Sequence, residues 1–281
     1  MELPNYVYAN LVRQALAEDL GTGDITSLLT IDADANGTGR FIAKAPGVIC
    51  GWPVVREVFR QLNPAIFLDI DCPDGTQVKP GELIAVISGP VRDLLSGERV
   101  ALNFLQHLSG VATATRELAD LIRDYPHVRL VDTRKTIPGL RALQKYAVRV
   151  GGGYNHRFNL ADAVLIKDNH IAACGGIQAA VTRVRQEIPH TMKIEVETET
   201  EEQVREALAA GADIIMLDNM SPDLMAEMVR LIDKRALVEA SGNISAASIR
   251  TVAACGVDFI SVGSLTHSVK ALDISLRLVN E

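Results

Sequence analysis

No apolar run in this chain approaches the ~20 residues that a membrane-spanning helix needs. The opening MELPNYVYANLVRQALAEDL lacks a basic start followed by an apolar stretch, so no secretory leader is expected. Cysteine is scarce. Cys50, Cys72, Cys174 and Cys255 lie far apart and form no CxxC pair. That spacing excludes a disulfide framework and a structural zinc site, and it fits reduced thiols in a cytoplasmic protein. There is no HExxH, no Ser-His-Asp arrangement and no catalytic-cysteine context. No GxGxxG follows a first strand; Gly151-Gly152-Gly153 follows a helical stretch, where glycines end a helix. Excess positive charge is missing too: 28 Lys and Arg stand against 35 Asp and Glu. The net charge of −7 argues against a nucleic-acid partner and against an anionic membrane surface.

What cation there is has been gathered. The run Asp132–His170 holds Arg134, Lys135, Arg141, Lys145, Arg149, Arg157 and Lys167, but only three acids, Asp132, Asp162 and Asp168. Outside it, 21 cations face 32 acids. An acidic protein that concentrates its cations in one stretch aims them at a small, highly charged anion.

At 281 residues the chain can bury one large core or two ordinary ones. Its second half alternates short β-branched runs with helical patterns. The expected strands are 129–131, 163–166, 193–196, 214–217, 237–240 and 259–262. The expected helices are 139–150, 177–187, 201–210, 222–232 and 245–255. Such alternation makes parallel strands with right-handed crossovers, and six units suggest a closed or nearly closed barrel. A doubly wound open sheet is the competing layout. The first hundred residues differ. A helix over 8–20 and a turn-rich 21–26 precede strand-like pieces at 39–43, 67–71 and 83–88. The segment DGTQVKPGELIAVISG alternates apolar positions between turns, as a small β-sandwich does, and 91–108 has the pattern of an amphipathic helix. The fold expected is therefore α/β: a sandwich-like α/β domain over 1–109, then an incomplete parallel α/β barrel over 110–267. Residues 268–281 are expected to pack back on the first domain.

In a parallel barrel, chemistry collects where strands end. Here those ends carry Asp132-Thr133-Arg134-Lys135, Lys167, Glu197, Asp218-Asn219, Ser241-Gly242-Asn243 and Val262-Gly263-Ser264. The last two are glycine-bearing, which lets backbone N–H groups reach a phosphate, with a following helix N-terminus adding positive potential. The plain alternative is ordinary turn glycine. Glu197 and Asp218 can hold Mg²⁺ or sugar hydroxyls; Glu195, two residues from Glu197 on the same strand, is open to the same role. Arg134, Lys135, His156, Arg157 and Lys167 would bring cations to one mouth, arginines suiting carboxylates and lysines phosphates. Arg141, Lys145 and Arg149, at i, i+4 and i+8, read as a solvated helix face.

On these residues the chain resembles the quinolinate phosphoribosyltransferase family, the decarboxylating nicotinate-nucleotide pyrophosphorylases of NAD biosynthesis. The motifs are DTRKTIPGLR, GGGYNHRFNLADAVLIKDNHI, IEVE, GADIIMLDN, SGN and GVDFISVGSLTHS, in order, with GERVALNFLQHLSGVAT and EDLGTGDIT before them. The resemblance implies a homodimer with shared sites, its further assembly left open. It implies that Arg134, His156, Arg157 and Lys167 surround quinolinate, with Thr133 among the binding residues and Arg99 reaching in from the other subunit. Lys135, Glu197 and Asp218 would face phosphoribosyl pyrophosphate with Mg²⁺ nearby. Ser241–Asn243 and Val262–Ser264 would hold its 5′-phosphate, and His267 would stand at the same mouth. A related phosphoribosyltransferase acting on nicotinate or another anionic acceptor is the near alternative. A lipoyl- or biotinyl-type carrier is the distant one, with Lys44 its only candidate and no MKM around it.

Overall fold

A computed structural model describes residues 3–279 and divides the chain into two compact units. Among the described residues, the first contains 3–116, 137–152 and 265–279, and the second contains 117–136 and 153–264.

In the first unit, α1 (Ala9–Leu20) and α2 (Ile25–Thr30) lead into β1 (Asn36–Ala43) and β2 (Gly47–Val48). The carboxylate of Asp24 caps α2 by accepting the Ser27 N–H at 3.0 Å, so a helix begins inside the stretch expected to be turn. Next come α3 (Trp52–Leu62), β3 (Phe67–Ile70), β4 (Gln77–Val78) and β5 (Leu83–Pro90). Pro53 fits the first turn of α3, where its missing N–H costs nothing. Asp74 accepts the Gly51 and Trp52 N–H groups at 2.9 and 3.2 Å and the Tyr146 hydroxyl at 2.7 Å. The sheet runs β12–β1–β5–β3, all antiparallel, where β12 is the chain's last strand, Ile274–Val279. Phe41 and Trp52 pack edge to face at 5.5 Å over its buried side.

The long helix α4 (Val91–Leu121) runs unbroken through Ser109–Gly110, where the sequence pattern had placed its end. Gly110 is there for closeness rather than for a stop. A Cβ at that position would stand 2.3 Å from the Lys270 carbonyl oxygen.

The second unit is built on β6 (Arg129–Val131), β7 (Val164–Ile166), β8 (Ile194–Thr198), β9 (Ile214–Asp218), β10 (Leu237–Ser241) and β11 (Phe259–Ser261). Between β6 and β7 runs α5 (Arg141–Gly151), which belongs to the first unit. The remaining helices are α6 (Asp168–Cys174), α7 (Ile177–Glu187), α8 (Glu201–Ala209), α9 (Pro222–Ile232), α10 (Ile249–Ala254) and α11 (Ser264–His267). Strand order is β6–β11–β10–β9–β8–β7, with every pair parallel. Six parallel strands in that order, with β6 and β7 at the two ends and not paired with each other, make an incomplete barrel. Val196, Ile215, Leu217, Ala240 and Ile260 are fully buried along it. The chain after Gly153 runs beside the β6 edge: Tyr154 donates its N–H to Leu130 O at 2.8 Å, and Asp132 donates its own to Tyr154 O at 3.1 Å.

Caps place the helices. Thr200 and Gln203 form a capping box at α8, and Ser221 accepts from the Leu224 N–H before Pro222 at α9. Gly152, left-handed, ends α5, as the glycine run suggests. α10 starts at Ile249 and not at Ser245, because 242–248 is spent on a turn whose Ser248 hydroxyl caps the Ser245 N–H. No helix among the described residues is long and apolar enough to cross a membrane.

Candidate active site

The parallel register sets the strand ends side by side. Ser241 of β10 pairs with Asp218 of β9, and Glu197 of β8 pairs with Met216 two residues below it. Lys167 follows β7, Thr133–Lys135 follow β6, and Val262–Ser264 follow β11. Fourteen of the sixteen candidate residues thus stand in the second unit. Arg99, exposed on α4, and His267, at the end of α11, stand in the first.

The cationic side of this mouth is organised by a buried acid that the sequence pattern placed at the strand end but gave no role. Asp132 is fully buried at the end of β6. One of its oxygens accepts the His156 N–H at 2.9 Å and the other accepts the Asn155 amide at 2.6 Å. The loop carrying His156 and Arg157 is thereby tied to the β6 end. Arg157 donates to the Ala163 carbonyl at 3.2 Å. Burial, and then the positive charge of Arg134 close by, hold the Arg157 guanidinium below its usual pKa, against the pull of Glu195 and Asp162. Two half-buried arginines near enough to repel form a site that an anion relieves. Lys135 is exposed, and its N–H bonds the Thr133 hydroxyl at 3.0 Å.

The two acids of β8 have different partners. Glu197, at the mouth, is ion-paired with Lys167. Glu195, one pleat deeper on the same face, accepts from His156 Nε2 at 3.2 Å, and Glu239 of β10 faces the same nitrogen at 3.5 Å. His156 therefore turns its ring inward. Burial would lower its pKa; the Glu195 hydrogen bond and the Glu239 and Glu195 charges override that and raise it. Burial, followed by the charge of Glu195, pushes Glu239 up to about 8. Glu239 was missed by sequence reasoning, although an acid in mid-strand of LVEAS is itself a signal.

The anionic and glycine-bearing side has a strained rim. Asn219 and Asn243, just past β9 and β10, take positive φ of 53° and 48°, and the Asn243 amide donates to Asn219 Oδ1 at 3.1 Å. Asp218 accepts from the Asn219 amide at 2.7 Å. Gly242 between them has φ 95°, and a Cβ on it would sit 2.3 Å from Asn219 Oδ1. Val262 is buried, so only its backbone faces a ligand. The helices that follow these two loops have six and four residues, and the first begins six residues past Asn243. The loops' own N–H groups, and not a helix end, are what they offer an oxyanion. Lys145 corrects the expected solvated helix face: it is 1% exposed within α5, while Arg141 and Arg149 are half-buried.

Two family models match the chain: the quinolinate phosphoribosyl transferase N-terminal domain over residues 24–109 and its C-terminal domain over 111–277. A curated relative from Bacillus subtilis, called a probable nicotinate-nucleotide pyrophosphorylase (carboxylating), is 48% identical over 266 residues, 95% of this chain and 91% of its own. One of the same name from Synechocystis is 45% identical, again over 95% of this chain and 91% of its own. Among solved structures, NadC from Streptococcus pyogenes superposes with a TM-score of 0.95 at 42% identity over all of both chains. The nicotinate-nucleotide pyrophosphorylase from Francisella tularensis gives 0.94 at 44%, covering 99% of this chain and 98% of its own.

Proposed function

The chain belongs to the quinolinate phosphoribosyl transferase family, and on that premise we infer that it is the decarboxylating enzyme of NAD biosynthesis. It joins the phosphoribosyl group of phosphoribosyl pyrophosphate to quinolinate and gives nicotinate mononucleotide, pyrophosphate and carbon dioxide. The observation that carries this reading is the meeting of Arg134, at the end of β6, with Arg157, on the loop that Asp132 ties to that end, the charge of Arg134 being near enough to act on the Arg157 guanidinium. Quinolinate brings two carboxylates to them; nicotinate brings one.

In the proposed site Arg134 and Arg157 take the quinolinate carboxylates, beside Thr133. Lys167, now held by Glu197, is drawn to the dianion as it enters, which frees the Glu197 carboxylate for the ribose. Lys135 and Asp218 complete the cosubstrate side, and the N–H groups of Ser241–Asn243 and Val262–Ser264 cradle the 5′-phosphate. The ring nitrogen attacks C1′ as the C1′–O bond breaks, and the electron pair leaves with pyrophosphate. Positive charge growing on the ribose is stabilised by Glu197 and Asp218. The product is a pyridinium. It accepts the electron pair of the C2–carboxylate bond, so carbon dioxide departs and C2 takes a proton from solvent. No separate electron sink is needed, and the protein's task is positioning and charge balance.

Glu197 and Asp218 end neighbouring strands and offer hard carboxylate oxygens, the donor type that Mg²⁺ shares with substrate phosphates. Bound there, Mg²⁺ would screen the pyrophosphate charge. We further propose a cytoplasmic homodimer whose sites are shared, with Arg99 supplementing the partner's arginines. On the same reading His267, which follows the last phosphate loop, stands at this mouth.

The test is product formation from quinolinate and from nicotinate, each with phosphoribosyl pyrophosphate, with Mg²⁺ and with chelator. Mononucleotide from quinolinate alone, lost in chelator, is expected. Equal turnover of nicotinate would defeat the substrate assignment.

A further inference from the structure

Below the mouth, His156 meets two acids that the reaction above does not use, Glu195 and Glu239. The side chains of Glu195 and Glu239 are 6% and 4% exposed. One ligand atom from each of the three lies within 4.8 Å of the others, a spacing that suits a metal ion. The imidazole argues otherwise. Its Nδ1 accepts the Arg157 N–H at 2.7 Å, so that nitrogen carries no proton. A neutral ring bound to a metal through Nε2 would carry its proton on Nδ1 and donate there. Here Nδ1 meets another N–H. The ring proton is therefore on Nε2, directed at the two carboxylates that face it.

The ring is thus a strut. At one end the carboxylates hold Nε2–H. At the other, Nδ1 holds the backbone of Arg157. Asp132 fixes the preceding peptide through the His156 N–H. Glu239 lies on β10, two residues short of the mouth, and faces His156 Nε2 at 3.5 Å. We infer that Glu239, together with Glu195, is a positioning residue. It sets the orientation of the His156 ring, and through Nδ1 it sets where the Arg157 guanidinium meets the substrate carboxylate. On this inference His156 serves the quinolinate site twice, as one of the residues around the substrate and as the support of Arg157. The inference rests on the assignment of quinolinate to Arg157.

The test compares wild type, Glu239→Leu and Glu239→Gln as intact proteins, by steady-state kinetics in both substrates. Glu239→Leu removes the acceptor and is expected to raise the quinolinate KM roughly tenfold or more, as for one misaligned charge-assisted bond. The KM for phosphoribosyl pyrophosphate should stay within about twofold. Glu239→Gln keeps an acceptor oxygen and the side-chain volume, so it should recover most of the loss. A folded Glu239→Leu with unchanged quinolinate KM overturns the inference. So do equal losses in both substrates, or a Gln variant as poor as the Leu variant. A thermal midpoint raised by added Zn²⁺ or Mn²⁺ in wild type but not in Glu239→Gln would make the cluster a metal site instead.

Should Glu239→Leu fail to fold, His156→Asn and His156→Gln decide. Asn places an acceptor oxygen near the Nδ1 position and keeps the Arg157 bond; Gln reaches the carboxylates and leaves that bond unmade. The Asn variant should be the nearer to wild type in quinolinate KM, and the reverse order, or no difference, contradicts the strut. Wild type without quinolinate-dependent product would sink the substrate reading and this inference with it. An active wild type with an indifferent Glu239 sinks the inference alone.

Discussion

Gly242→Ala tests the strained rim of the mouth. Gly242 has φ 95°, and the added Cβ would stand 2.3 Å from Asn219 Oδ1 and 2.7 Å from Asn219 N. The left-handed backbone costs an L-residue about 1–2 kcal/mol. The Asn219 amide oxygen can swing away, but only by giving up the Asn243 bond, about 0.5–1.5 kcal/mol more. The Asn219 backbone nitrogen cannot swing, so the β9 and β10 ends must also part. Together these come to about 2–4 kcal/mol. The thermal midpoint should fall by roughly 5–15 °C. The displaced N–H groups are those assigned to the 5′-phosphate, so the KM for phosphoribosyl pyrophosphate should rise more than that for quinolinate. A variant as stable as wild type, with both KM values unchanged, would refute the reasoning.

Arg157→Ala should raise the quinolinate requirement by about 1.5–3 kcal/mol, or roughly 10- to 150-fold, and the cosubstrate requirement far less; unchanged quinolinate kinetics would remove Arg157 from the site. Arg99→Ala and Lys135→Ala, each inactive alone, should regain activity when their subunits are exchanged, because one site of the heterodimer then escapes both changes. Heterodimers that form without activity would count against a shared site. Glu57 gives a pH dependence. The Arg60 hydrogen bond, joined by Gln61 and Asn5 and opposed by burial, lowers its carboxyl from 4.5 to about 2. The stability it adds is complete above pH 4.5 and is lost as pH falls toward 2, about 1–2 kcal/mol once the exposure of Arg60 is allowed for. Glu57→Gln should flatten acid unfolding across that window; an identical slope contradicts the assignment.

Where the sequence spoke through periodicity and caps, it was read residue by residue. α7 and α9 begin and end where the pattern puts them, since Ser221-Pro222 leaves little choice of start. The parallel strands hold their places within a residue or two, because β-branched runs between turns admit few registers. Long-range packing was not legible. Nothing local says that Gly110 lies against the Lys270 carbonyl and so leaves α4 unbroken, and the expected return of 268–281 to the first domain came without its pairing, β12 beside β1. Lys145 looked solvated because a 3.6-residue period shows a stripe of cations but not what covers it. Among site residues, the strand ends were visible because parallel topology collects them. Glu195 could not be told from Glu197 by alternation, which puts both on one face. Their partners, Lys167 at the mouth and His156 beneath, are what separate them.

The central claim, that transfer and decarboxylation occur together at this mouth, is tested most directly with quinolinate labelled in its 2-carboxylate carbon. Incubated with phosphoribosyl pyrophosphate and Mg²⁺, the protein should release one labelled carbon dioxide for each unlabelled nicotinate mononucleotide and each pyrophosphate formed. Label retained in a nucleotide product, or carbon dioxide released without pyrophosphate, would contradict it.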